Sequence, residues 1–365
     1  MVRTTANPIQ TGIGVAPASA SETAPLLPTR LTQALGSVTS GGGGDPLVGA
    51  RRRELVGLGL MTISALGFSL MSLLVKIAGA TFPTLEVVLA RSVWQLALGV
   101  LIITTVFKKN PLGPPALRPW LLLRGTTGAL GLACYFYGLT HLPLADATVI
   151  FFTGPVFTAI LAHFALHERF THVDRVAATL SMVGIVLVAK PSFLFGVSHL
   201  PDDILFGRLL AVLACLAGAV LSAMGYVIVR KVGRDVHYLV HVIYFGGIST
   251  LVSGLPFVLN GSLLPFLGSG GGGGSSSKFI WPRTTEEYLL LSGVGLAAFF
   301  GQALLNNGLQ LSRAGPATLM RNLDVVFAFV FGVTIFHEIP DAMSILGSVI
   351  IVTCTIGMGL NKWLN

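Results

Sequence analysis

The chain has 365 residues, of which 53% are hydrophobic and only 10% charged, with a formal net charge of +8 and a mean hydropathy of +0.80. So much apolar side chain excludes a water-soluble globular fold and places the protein in a bilayer. There the basic excess follows from loop chemistry at the membrane surface, so it gives no reason to expect a nucleic-acid partner.

Residues 1–50 mix Ser, Thr, Ala, Pro and Gly, include the run Gly41–Gly44 and hold no sustained apolar period, so they read as a disordered tail. Within it Glu22-Thr23-Ala24-Pro25-Leu26-Leu27 has the spacing of an acidic-dileucine signal, either a receptor-read address for a sorting adaptor or a chance match in a polar tail. The scarcity of acids before residue 44 also admits an organelle transit peptide, although no Arg-rich amphipathic helix accompanies it.

Apolar stretches of the ~20 residues needed to cross ~30 Å of hydrocarbon follow near 56–77, 84–106, 119–140, 145–166, 174–190, 206–229, 238–258, 288–310, 316–337 and 342–361. They predict an all-α membrane protein with ten transmembrane helices. The fourth of them is repeated: residues 145–168 reappear without a gap at 315–338, with Ala147-Thr148, Phe157 and His167-Glu168 matched by Ala317-Thr318, Phe327 and His337-Glu338, all 170 residues on. A weaker echo sets Lys76-Ile77-Ala78-Gly79 against Arg230-Lys231-Val232-Gly233, 154 residues apart. The 16-residue difference requires an insertion in the second copy, and the Gly/Ser-rich loop near 259–287 supplies it. The expected layout is therefore a first five-helix repeat over 51–196 and a second over 204–363. An odd number of spans returns the chain on the opposite side, so the second repeat enters the membrane inverted, the arrangement of many secondary transporters.

Outside the spans, thirteen basic residues, among them Arg51-Arg52-Arg53, Lys108-Lys109 and Arg230-Lys231, lie on the side of the N-terminus, against five on the other: Lys76, Lys190, Arg208, Lys278 and Arg283. The positive-inside rule then makes both termini cytoplasmic. The one N-glycosylation sequon, Asn260-Gly261-Ser262, falls on the outer or lumenal side. Plasma membrane, endosome and Golgi all fit.

Polar residues at hydrocarbon depth are the candidate site, because a charge there is costly unless it faces a cavity or a partner. Arg91 lies seven residues into the second span, ~10 Å deep, and Glu86, about 140° away around the helix, is off its face. Arg124 enters the third span near its end, where its long stem allows snorkelling to the interface. Tyr135 and Tyr137 read as packing or interfacial residues. Asp146 opens the fourth span, as a helix cap or as a titratable carboxylate at the mouth.

Glu168 and Glu338 close spans four and nine at opposite faces and read as helix terminators with gating contacts. The run His167-Glu168-Arg169-Phe170-Thr171-His172 is no zinc-protease motif, since its second His stands at i+5 instead of i+4. Cys134, Cys215 and Cys354 sit singly in different spans, as packing residues. Gln302 and Asn306 share a helix face at i,i+4, either binding a polar ligand or holding helices together. Arg321-Asn322-Leu323-Asp324 places Arg321 beside Asp324 at i,i+3, an intrahelical pair or a site where the two ends, with Asn322, meet substrate and a coupling proton. No nucleophile–base or metal-ligand spacing marks an enzyme, a metal site or a cofactor.

The five-plus-five layout, His167-Glu168-Arg169-Phe170, His337-Glu338-Ile339-Pro340 and the Gly184–Val188 pattern resemble the EamA-type drug/metabolite transporter superfamily. Leu144–Ile150, Pro155-Val156-Phe157-Thr158 and Lys190–Gly196 look most like the G-type branch of solute carrier family 35, over about residues 54–363. The resemblance implies a ten-helix carrier with a central cavity between the halves, working by alternating access, with lipid and a small-molecule substrate as its partners. Cargo in such a superfamily is diverse and fold does not settle it. Buried arginine suits carboxylate or phosphate through its planar fork, which points to a small organic anion at Arg91, with Arg321 and Arg124, and to coupling through Asp324 or Asp146. A Golgi nucleotide-sugar exchanger, or a regulatory membrane protein that keeps the transporter fold, are the alternatives; oligomeric state is not encoded in any pattern of the sequence.

Overall fold

A computed structural model of the chain describes residues 46–142, 144–168, 171–189, 194, 202–258, 279–335, 337 and 342–364. The tail with its dileucine pattern, the sequon, most of the Gly/Ser-rich loop and Glu338 lie outside the described residues. Contacts divide the chain after Pro46, and the helical bundle is the second unit, Leu47–Asn365.

The described elements are helical: α1 (Pro46–Ala78), α2 (Thr84–Thr105), α3 (Arg118–His141), α4 (Leu144–Phe151), α5 (Gly154–Leu166), α6 (His172–Ala189), α7 (Asp202–Val232), α8 (Tyr238–Val258), α9 (Thr285–Leu311), α10 (Ala314–Met320), α11 (Leu323–Ile335) and α12 (Ala342–Leu364). Eight segments are long and apolar enough to cross a membrane, counting α4–α5 and α10–α11 as one each. The Arg- and Gly-bearing α3 is not among them, and Ala342–Met358 of α12 is apolar but shorter.

Helix ends follow local chemistry. The Thr284 hydroxyl accepts from Glu287 N at 3.2 Å while the Glu287 carboxylate accepts from Thr284 N, a capping box that starts α9. Thr171 and Asp174 make the same reciprocal bonds before α6, with Asp174 fully buried. Leu, Val, Ile and Phe side chains such as Phe164, Leu251 and Val349 remain exposed on the outer faces, as a lipid-facing surface requires.

The predicted fourth and ninth spans are each broken into two helices. The first break falls at Phe152-Thr153, ahead of Pro155 in the first turn of α5, and the second at Arg321-Asn322. These breaks stand within one residue of corresponding places in the 170-residue repeat. So do His167 and His337, both left-handed, with φ of 54° and 53°. The repeated His is thus the residue that turns the chain out of its helix, in a conformation a non-Gly side chain adopts only under constraint.

Inside the bundle α3 packs on α7, α2 on α8 and α9, α6 on α12, and α5 on α7. The α3–α7 crossing is close because Gly131 and Gly218 face each other: a Cβ on Gly218 would stand 2.8 Å from the Gly131 carbonyl oxygen. Gly218→Leu is therefore expected to cost about 1–3 kcal/mol by overpacking and to lower the melting temperature in detergent. An unchanged melt would show that the two helices do not need this approach.

A buried arginine site at the broken helices

The break between α10 and α11 presents Arg321 to the interior. Its Nη1 donates to the Tyr226 hydroxyl of α7, its guanidinium lies 4.6 Å from the Phe68 ring centroid of α1, and its Nη2 stands 3.8 Å from Asp324 Oδ2. Ser69, next to Phe68, donates to the Asp324 carbonyl at 3.3 Å. A cation over an aromatic face, held also by a hydroxyl and a carboxylate, is fixed in place without being fully neutralised.

Arg91 of α2 is 5% exposed, lies within Coulombic reach of Arg321, and directs Nη1 at the Met71 sulfur, 3.7 Å away. Its Nε has no partner, and no described carboxylate pairs with it. Glu86, off the Arg91 face as expected, instead accepts from Ile280 N at 2.9 Å. Two guanidinium groups inside the bundle, with Asp324 pairing loosely with Arg321 alone, leave positive charge uncompensated, which only an acceptor-rich group can satisfy. Asn322, in the same break, is buried with both amide atoms unpartnered. Tyr135 of α3 lies near Thr148 of α4 and within Coulombic reach of Arg321 and Asp324, so it belongs to this surround, a closer tie to the site than a packing reading predicts.

Arg124 departs from the snorkelling expectation. It is 2% exposed and lies over the Phe245 ring of α8 at 5.3 Å, in room left by Gly128 and Gly225. With no bulk at either glycine, the guanidinium is accommodated inside the bundle. Gln302 and Asn306 are both buried in α9, and Asn306 has neither amide atom partnered.

The remaining candidates sit in ties between helices. Asp146 meets Arg208 of α7 at 3.0 Å, a charge pair in place of a simple cap. Glu168 accepts from Arg230 Nε at 2.8 Å and from Ala314 N, the start of α10, at 2.9 Å; Arg230 also donates to the Gln310 carbonyl at 3.2 Å. Arg313 beside it pairs with Glu54 of α1 at 3.0 Å. The left-handed His167 thus aims Glu168 across at α7 and α10, closing one end of the bundle, the Glu54 end. At that end also lies a cleft of ≈650 Å³ lined by Lys109, Arg234, Asp235, His237, Asn307 and Gln310 among others. Burial, then the Lys109 charge, pulls His237 below the usual imidazole range, which keeps it neutral at pH 7.

Tyr226, Phe68, Met71 and His241 are not among the residues that the sequence marks. The first three are ordinary apolar or aromatic residues of spans, with no signal to separate them from lipid-facing neighbours. His241 had one, an ionisable side chain inside the predicted 238–258 span.

The model of the EamA-like transporter family matches residues 55–190 and 209–360. The chain is 32% identical over 84% of its length to human solute carrier family 35 member G1, covering 80% of that protein. It is likewise 31% identical to a pseudopaline exporter of Pseudomonas aeruginosa, over 84% of this chain and 96% of that one. An uncharacterized membrane protein of Saccharomyces cerevisiae is 32% identical over 74% of the chain, which spans 65% of the yeast protein's length. The matched family is one of transporters and not of enzymes, as are the solute carrier and the exporter, and with its apolar helices the chain is an integral, multi-pass membrane protein that belongs to the EamA-like transporter family.

Proposed function

We propose that the protein is a secondary carrier for a small organic anion, built as ten spans in two inverted five-helix repeats with both termini cytoplasmic. Two family matches of similar length, helix breaks that recur 169 residues apart and left-handed histidines that recur 170 apart support the repeat. The distribution of basic loops supports the orientation. With α10 entering from the Glu54 end and α4 from the Asp146–Arg208 end, rocking of the repeats would open each end in turn, which is alternating access.

The observation that carries the cargo is Arg91: a buried cation, 5% exposed, with no described carboxylate paired to it, within Coulombic reach of Arg321. Such charge is retained at hydrocarbon depth when it meets a ligand, and the planar guanidinium matches a carboxylate or phosphate. Side chains from both sequence repeats, Phe68, Arg91 and Tyr135 from one and Tyr226, Arg321 and Asp324 from the other, converge there, which favours a carrier over a regulatory protein whose interior is packed shut. The test is flux in proteoliposomes with labelled solutes of matched size. Saturable transport of organic anions, with neutral and cationic solutes excluded, is the expected result; movement of neutral or cationic solutes alone would sink the anion reading.

A further inference from the structure

A second buried cation stands apart from the Arg91–Arg321 pair. Arg124 of α3 has its Nε unpartnered and no described carboxylate beside it. Its guanidinium covers the Phe245 ring, and His241, one turn earlier on the same face of α8, lies within Coulombic reach. His241 is 0% exposed with both ring nitrogens unpartnered. An imidazole always carries at least one N–H donor, so together with the Arg124 Nε–H this corner holds orphaned donors. Leaving them so costs about 1–3 kcal/mol per neutral group and more for a charged one. The room is built in, because a Cβ at Gly225 would come within 3.4 Å of Arg124 Nη1 and one at Gly128 would overlap it.

The corner also has an approach. His241 and Phe245 stand at i,i+4 on one face of α8, and His237, the residue just before that helix, lines the cleft at the Glu54 end together with Lys109 and Arg234, against the single acid Asp235. A basic cleft at the start of α8, the helix that carries His241 and Phe245, concentrates anions there.

We propose that Arg124 and His241 form a second anion-binding station, between the Glu54-end cleft and the Arg91–Arg321 site, which takes one carboxylate or phosphate group. Arg124 supplies charge and a fork of donors, His241 a further N–H, and Phe245 shields the guanidinium face from solvent. The Tyr226 hydroxyl, which accepts from Arg321, is also within Coulombic reach of Arg124, so the two stations adjoin. The station extends the anion-carrier reading, but its test is independent of flux: transport could fail for every anion tried and binding here would still be decided.

The test is equilibrium binding of inorganic phosphate and of acetate, separately, to the purified full chain. At least one probe is expected to bind saturably, with a binding component that loses at least tenfold in affinity in Arg124→Gln and weakens severalfold in His241→Gln; which probe binds tells phosphate from carboxylate. Arg124→Lys, which keeps the charge and loses the fork, is expected to fall between. Should Arg124→Gln not fold, ¹⁵N-histidine spectra of the unmutated protein replace it, and the signal absent in His241→Gln must shift with the bound probe. Binding of neither probe, equal binding in every component in Arg124→Gln, or an unshifted His241 signal would each overturn the station.

Discussion

Arg91→Ala is expected to lower transport efficiency for the organic anion by about 2–4 kcal/mol, roughly 30- to 1000-fold, the scale for removing one partner of a buried charge-assisted contact. The fold should not suffer. In the structure Arg91 is buried against a methionine sulfur with no carboxylate to repay its desolvation, so deleting it removes an uncompensated charge from the interior. The melting temperature in detergent should therefore hold or rise while flux is lost. A structural arginine behaves in the opposite way, and a melting temperature that falls together with flux would assign Arg91 to the fold. Arg91→Lys separates charge from geometry: a point charge without the bidentate fork is expected to restore part of the flux and weaken apparent affinity.

The second large effect is expected at Glu168. Its carboxylate ties Arg230 of α7 and the first amide of α10 together, and the neighbouring Arg313–Glu54 pair adds α1 to the same closure. Glu168→Ala removes both bonds from the closed arrangement and leaves the open one untouched, which shifts the balance by the difference. Arg230 is partly exposed, so its share is screened. With the amide bond counted, about 1–2 kcal/mol remains, roughly a 5- to 30-fold rise in opening at this end. The readout is the labelling rate of a cysteine placed at the buried Thr318, four residues into α10 beyond Ala314, by a membrane-impermeant thiol reagent, with the three native cysteines replaced. An unchanged rate would mean that Glu168 is only a helix terminator.

The fold was largely legible because membrane helices are written in long apolar runs. The predicted 238–258 coincides with α8, and 84–106 with α2 to one residue. What periodicity and hydropathy do not encode is the interruption of a span. Gly154-Pro155 marks one, since proline is at home in a first helical turn, but Arg321-Asn322 carries no such sign and is recognisable only by carrying the first break across the repeat. The Arg321–Asp324 neighbourhood was legible from i,i+3 spacing, yet at 3.8 Å it is a loose pair, because the helix stops there and Tyr226 competes for the guanidinium. Arg124 misleads for a different reason. Its distance from the helix end permits snorkelling, and only the third-dimensional neighbours Gly128, Gly225 and Phe245 decide that it stays inside. The ties of Glu168 and Asp146 join residues 62 positions distant, beyond any local pattern.

If the buried guanidinium groups at the broken helices hold an anion, a structure of the full chain solved with a saturating transported anion shows it most directly. The expected result is the acid group of that anion within hydrogen-bond distance of both Arg91 and Arg321, with the Tyr226 hydroxyl displaced from Arg321 or shared with the ligand. An anion seated elsewhere, with Arg91 still directed at Met71 and Arg321 still bound to Tyr226, would contradict the assignment of this site.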